Sequence, residues 1–442
     1  MPSVTKPLAP APPRPGKHPG AHLSVLVACP DARPPAYEAA AGLAGSGDLG
    51  RLVTGFYYRG HGSLSEMART YAPCQFRRIR RQLLRRHVRR IPGQRVVSVP
   101  SFDLALAVEN RLDHDPRAQR AAARWRTRHF DRVVARTIAN ERPEAALIFS
   151  DVGSEFALPA CRRLGVPSFL SMVHGDVREE AEILAREQAE SPDYFPLYLG
   201  DGRLDRDALA WLHARRERDI ALADRILVPS DHIAARLVEH GTPRDRIGVV
   251  PYAADTRRFR PRTDGSPRAG CTFLFAGGIT QRKGIKYLLR AWARIRRPGW
   301  KLRLLGALPR RLGPLADDLK IEGVEHLGRV GHDEMPARMA EADVFVFPSL
   351  FEGSAVVTYE ALACGLPSVA TAASGTVARD GVEGYLVPSR DVDTLALRME
   401  RLGLDPALRA RMSLAARRRA EEFDWPRYHA SIRAELRRCL GG

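Results

Sequence analysis

Short strand-like runs recur along this chain, separated by stretches of helical composition, and that alternation constrains the fold more than any other feature. The first is LSVLVA at 23–28, and similar runs stand at 95–99, 145–149, 166–173 and 225–229. Runs without polar alternation suit parallel strands covered on both faces, and the intervening helices supply the cover. After a Pro-, Gly- and Arg-rich connection at 247–270 the runs restart at 272–277 (TFLFAG), 302–306 (LRLLG), 324–328 (VEHLG), 344–347 and 368–371. The expected class is α/β, with two doubly wound parallel-sheet, Rossmann-like domains facing across a cleft. Residues 21–255 form the first and 256–424 the second, after a Pro-rich, disordered tail at 1–20. A ligand then sits in the cleft, at the carboxyl ends of both sets of strands.

The stretch DVFVFPSLFEGSAVVTYEALACGLPSVAT, 343–371, holds two acids around a turn between two apolar runs. Ser354 is placed to cap a helix from about Ala355 to Ala363, which Gly365 stops. Glu352 then precedes the helix start and Glu360 lies inside it. The N–H groups of Gly353, Ser354, Ala355 and Val356 favour an anion there. An acid on each side of an anion site suits a ligand with both phosphate and hydroxyls; the plainer reading is a capping acid and a helical acid paired with arginine. FAGGITQRKG, 275–284, joins a strand to the helix starting near Ile285, so Arg282 and Lys283 stand near a helix N-terminus suited to a diphosphate. A solvated basic loop is its plainer reading. His174 ends the run SFLSMV and precedes Gly175; taken alone, it reads equally as a structural histidine.

Pro348, Ser349, Glu352, Gly353, Glu360, Ala361, Ala363, Gly365 and Pro367 together resemble the PSxxEG and EAxAxGxPV motif of retaining, GT-B-fold glycosyltransferases of family 4. The resemblance is good over roughly 140–440 and poor before it. It implies a nucleotide-diphosphate-sugar donor, with no separate cofactor and no metal. It makes Glu352 the acid that holds the sugar, Glu360 the ribose acid, and His174 of the His-Gly strand end a group reaching the donor sugar. Lys283 matches the lysine of the family's GRLxxxKG loop, Gly278 stands where the family has arginine, and Arg282 is inferred to replace that charge. The backbone at Gly328, Arg329 and Val330 is where the family reads the base. The final helix, 425–442, is expected to cross back to the first domain. Two departures stand out: Gly353, Ser354 and Ala355 replace the family's Gly-Phe-Gly, and PDARPP at 30–35 replaces its glycine-rich acceptor loop.

Composition trims the alternatives. Net charge +19 suggests an anionic partner, but six lysines against 64 arginines point to a base-composition skew and not to a specific nucleic-acid site. The six cysteines contain no CxxC pair and read as reduced core residues. With no apolar run of about 18 residues and no signal core, the chain is expected in the cytoplasm. The DxD pairs at 113/115, 205/207 and 391/393 do not follow apolar strands at a cleft, and the last opens a helix, where capping explains it. A sugar-nucleotide epimerase of the same fold and a non-enzymatic nucleic-acid binder are the alternatives; the first lacks visible proton-transfer groups and the second leaves the acids unexplained. FRRIRRQLLRRHVRRI, 76–91, has a basic amphipathic pattern. It is either an ordinary scaffold helix or a helix lying on an anionic membrane, at its inner face, beside a lipid-linked hydroxyl acceptor.

Overall fold

The computed structural model describes residues 22–31, 33–58, 86–109, 111–112, 115–199, 205–262 and 270–440. The tail at 1–20 and residues 76–85 of the basic segment lie outside them. Residues 86–91, expected to end that helix, instead form a turn in which the Ile91 N–H donates to the Val88 carbonyl at 2.9 Å. Ile91 is buried, Arg89 and Arg90 are exposed, and Arg86 pairs with Asp103 at 2.6 Å.

The first sheet holds β1 (Val25–Ala28), β2 (Leu49–Thr54), β3 (Val96–Ser98), β4 (Ala145–Phe149), β5 (Ser168–Ser171), β6 (Arg225–Val228) and β7 (Ile247–Val249), in the order β3-β2-β1-β4-β5-β6-β7. The second holds β8 (Thr272–Ala276), β9 (Lys301–Leu305), β10 (Val324–Gly328), β11 (Val344–Phe347), β12 (Ser368–Thr371) and β13 (Gly384–Val387), in the order β10-β9-β8-β11-β12-β13. Every pairing is parallel. Burial follows from this: Val25 and Val27 pack into one core layer, Leu26 and Ala28 into the other, and none of the four is exposed. The expected two-domain, doubly wound architecture is the one observed.

In both sheets the strand order reverses once, between β1 and β4 and between β8 and β11. The loops leaving a reversal point diverge to opposite faces of the sheet and open a crevice at the carboxyl ends of the strands. In the second sheet those loops begin at Gly277 and at Pro348, so the topology alone brings the two candidate motifs together.

The helix Trp425–Leu440 leaves the second domain and packs on the first. There the Tyr428 hydroxyl donates to the Pro35 carbonyl at 3.0 Å, His429 meets Glu38 at 2.9 Å and Arg433 meets Asp48 at 2.6 Å.

Candidate active site

The loop after β8 carries a turn, Gln281–Lys283, ended by Gly284. Gly284 has φ +75, and a Cβ there would stand 2.0 Å from the Pro348 carbonyl oxygen. Only glycine lets the two loops approach this closely. The Arg282 carbonyl accepts from Leu350 N–H at 2.8 Å and from the Ser349 hydroxyl at 3.1 Å, so the loops after β8 and β11 are locked together. Gly284→Ala is therefore expected to cost roughly 2 kcal/mol or more from the left-handed backbone and the clash. In thermal denaturation this should appear as a lower midpoint and as loss of any stabilisation by a nucleotide diphosphate.

Locking the loops brings Lys283 and Glu352 into a direct ion pair. The Ser349 hydroxyl shares its one hydrogen between the Arg282 carbonyl and the same Glu352 oxygen, also 3.1 Å away, and the Lys283 ammonium lies 5.3 Å from the centre of the Phe347 ring. Burial draws Lys283 below the usual lysine range, opposed by Glu352 and reinforced by Arg282. Glu360 lies in the helix Val356–Ala363, 6% exposed, and takes a 2.8 Å hydrogen bond from His332 Nε2. Arg329 and Val330 follow β10; Arg329 is exposed and Val330 packs on the core. Gly278 is exposed on the loop after β8.

The turn before that helix departs from expectation. Ser354 does not cap it: its hydroxyl donates to the Gly375 carbonyl at 2.7 Å and meets the Tyr359 hydroxyl at 3.0 Å. Ala355 is the N-cap residue, without a side-chain cap, and its N–H is taken by the Ser374 carbonyl at 3.0 Å. Close packing explains this, since Gly375 comes so near that a Cβ on it would lie 2.6 Å from Ser354 Cα. The Ala355 N–H is thus committed to protein and does not serve an anion. The helix does end as expected, at Gly365 with φ +68.

The first domain meets this site at the end of β5. A Cβ on Gly353 would stand 2.3 Å from the Val173 carbonyl oxygen, and one on Gly175 would stand 2.5 Å from the Phe351 ring. Ser230 adds a 3.2 Å hydrogen bond to the Gly353 carbonyl. His174 and Glu352 therefore belong to segments in van der Waals contact across the cleft. His174 is 7% exposed; Nδ1–H donates to the Gly175 carbonyl at 2.7 Å, which leaves the lone pair on Nε2 in the neutral ring. Nε2 lies 3.4 Å from Asp151 Oδ1, outside hydrogen-bond geometry. Burial first, then Arg216, pull His174 below the ordinary histidine range, with Asp151 opposing. For Asp151 burial acts upward, but Arg216 at 2.7 Å holds it well below the usual carboxylate range. Asp151 has φ +82, a conformation that costs a non-glycine residue about 1 kcal/mol.

Asp151, Arg216 and His332 complete the site and were not found by reading the sequence. The Asp151–Arg216 pair joins residues 65 apart, and no spacing rule reaches that far. The DxD aspartates have structural partners: Asp391 caps its helix through the Thr394 N–H at 2.9 Å, Asp205 caps through Ala208 at 3.0 Å, and Asp205 and Asp207 both face Arg120. Asp113 lies outside the described residues. Among those residues no group of three or more His, Cys, Asp or Glu side chains is placed to hold a metal ion. No described helix is long and apolar enough to cross a membrane.

A family model described as glycosyl transferases group 1 matches residues 270–405, which hold Arg282, Lys283, Glu352 and Glu360. A protein of Saccharomonospora viridis named D-inositol 3-phosphate glycosyltransferase is 34% identical over 235 residues, covering 48% of this chain and 54% of that one. One of the same name from Nocardiopsis dassonvillei is 31% identical over 304 residues, covering 63% of this chain and 67% of that one. The match thus spans between about half and two thirds of these relatives. Among solved structures, Anabaena HepE in complex with UDP and glucose superposes with a TM-score of 0.60 at 16% identity, covering 94% of this chain and 99% of that one. That likeness is one of fold, the GT-B arrangement of two facing Rossmann-like domains.

Proposed function

This chain belongs to the family of glycosyl transferases group 1, and from that premise we propose that it is a retaining glycosyltransferase. It moves a sugar from a nucleotide-diphosphate sugar to a hydroxyl acceptor, in synthesis of an envelope polysaccharide or glycolipid. The second domain, 256–424, takes the donor, and the first, 21–255 with the helix 425–442, takes the acceptor. The observation that carries this reading is the Lys283–Glu352 pair, at the strand-order reversal of the second sheet and opposite His174.

Each residue has a role in this reading. Glu360 accepts from the ribose hydroxyls, and the backbone at Arg329 and Val330 lies beside the base. Gly278 lets the chain pass close to the diphosphate. An ammonium has three donors, so Lys283 can hold Glu352 with one and a phosphate oxygen with another. Arg282 adds a second positive charge. As the bond from the anomeric carbon to the phosphate oxygen breaks, Glu352 stabilises the cationic sugar and His174 orients it. The acceptor oxygen then bonds to the same face, and its proton passes to the departing phosphate oxygen. Electrostatic stabilisation carries most of the rate in such a site, and with both charges supplied by protein the transfer proceeds without a divalent metal. Of the turn's residues, Gly353 and Val356 flank the sugar side, while Ser354 and Ala355 hold the turn itself together. HepE was solved with UDP and glucose, which supports a donor of this class. A lipid-linked acceptor would place the protein at the inner face of an anionic membrane.

The test is a panel of UDP- and GDP-sugars incubated with the protein in chelator, reading nucleotide release and thermal shift. One donor is expected to release its nucleotide and, at 100 times its dissociation constant, to stabilise by about 2.7 kcal/mol. A panel with neither release nor stabilisation would overturn the reading; activity that returns only with magnesium would overturn its metal-independent form.

A further inference from the structure

We propose that Glu187, in the first domain, is a positioning residue that makes alignment of the Arg282–Lys283 loop depend on closure of the interdomain cleft. The contact stands on geometry alone; its catalytic meaning rests on the transfer reaction proposed above.

Glu187 lies near the end of the helix Val177–Glu190 and is fully buried. Among the described residues, every hydrogen bond to its carboxylate comes from the second domain. Oε2 accepts from Gln281 Nε2 at 2.5 Å, and Oε1 accepts from the Tyr287 hydroxyl at 2.8 Å and from Arg390 Nε at 2.8 Å. Gln281 opens the turn that carries Arg282 and Lys283, and Tyr287 sits on the helix that the turn feeds. Gln281 is itself fully buried, and its Oε1 accepts from the Lys286 N–H at 3.3 Å. A side chain of the first domain thus fixes the first residue of the phosphate loop.

Two further observations agree. Arg390 has φ +70, and strained backbone at a non-glycine residue persists where surrounding contacts over-determine it. Arg282 N–H reaches the Tyr198 carbonyl of the first domain at 3.4 Å, so the loop is held from that side at a second point. Parting the domains removes all three donors from Glu187 at once and frees Gln281. A buried carboxylate tolerates that only by taking up water, so the contact has a made state and a broken state and few arrangements between. Through it, the closed cleft and the aligned loop are populated together.

Glu187→Gln keeps the shape and sets an amide N–H₂ against that of Gln281. The expected result is a kcat lowered about tenfold or more together with a raised Kd for nucleotide diphosphate, because the loop that loses its alignment is the one proposed to hold the diphosphate. Amide exchange at 281–287 should quicken. Tyr287→Phe, which removes one donor and keeps the ring, should shift kcat and exchange in the same direction by less. The double exchange Glu187→Gln with Gln281→Glu restores a donor facing an acceptor and should recover part of kcat. Folded Glu187→Gln with wild-type kcat and wild-type exchange would overturn the proposal. If the wild type transfers no sugar, the exchange measurement decides alone: quickened exchange at 281–287 upholds the contact as a closure device, and unchanged exchange overturns it. If Glu187→Gln does not fold, Tyr287→Phe decides on the same two readouts.

Discussion

Glu352→Gln is expected to lower kcat for sugar transfer at least about 100-fold, equivalent to about 2.7 kcal/mol of transition-state stabilisation, while nucleotide binding stays near wild type. The carboxylate's contribution grows only as the sugar becomes cationic, so the ground-state complex loses little. Glu360→Gln should do the reverse, raising the nucleotide Kd with a smaller effect on kcat. One confounding route comes from the ion pair itself. Burial already draws Lys283 downward and Glu352 opposes that, so the substitution lets Lys283 lose its proton more readily. A loss through Lys283 would recover on acidification, whereas a loss of Glu352's own role would persist; steady-state rates at pH 6 and 8 separate the two. Turnover above about a tenth of wild type would remove Glu352 from catalysis.

Asp219→Asn is expected to stabilise the protein at pH 8 and above, by on the order of 1–3 kcal/mol, and to flatten the dependence of stability on pH. Asp219 is 1% exposed; burial first, and Asp151 second, push its carboxyl up to about 8. One oxygen meets the Asp151 N–H at 3.3 Å and the other is buried without a hydrogen-bond partner. In the unfolded chain the group ionises near 3.8. Between those values the folded state binds a proton that the unfolded state has released, so the contribution is full below about pH 4 and is lost as pH rises through about 8. An asparagine has no proton to lose. Urea denaturation of variant and wild type at pH 5 and pH 8.5 checks this, and a variant less stable at pH 8.5 would refute it. Asp131, raised by burial to about 6, is the contrasting case. It accepts from the N–H groups of Glu155, Phe156 and Ala157 at 2.9, 3.1 and 2.8 Å, and asparagine there would give up an acceptor that the helix start needs.

The sequence was legible where one local rule decided the outcome. Uninterrupted apolar runs became β4 and β11, and Gly365 stopped its helix. Three strands escaped. LGRLVT became β2 although Gly50 and Arg51 break its apolar run, IGV became β7 within a segment read as a connection, and GYLV became β13 from four residues in loop-like surroundings. Sheet pairing supplied what local composition lacked. At the site, the spacing of Glu352 and Glu360 could be read because both lie on one turn and helix. Ser354 could not, since the Gly375 and Tyr359 that claim its hydroxyl are brought in by tertiary packing. The same holds for Glu187 with Gln281, 94 residues apart, and for His332 with Glu360. A pairing between distant charges leaves no local pattern, and with so many arginines composition does not say which carboxylate each will find.

The helix Trp425–Leu440 has a consequence in the order of synthesis. The first domain's helix Pro34–Gly45 is covered by residues made almost 400 positions later, and a Cβ on Gly42 would lie 2.5 Å from the His429 ring. On β6 and β7 the Arg225 guanidinium meets Glu435 at 2.9 Å, and a Cβ on Gly248 would touch the same carboxylate. Domains commonly fold as they emerge from the ribosome, the N-terminal one first. Here that domain stays partly uncovered until the whole second domain has been translated, so the half begun first is the half finished last.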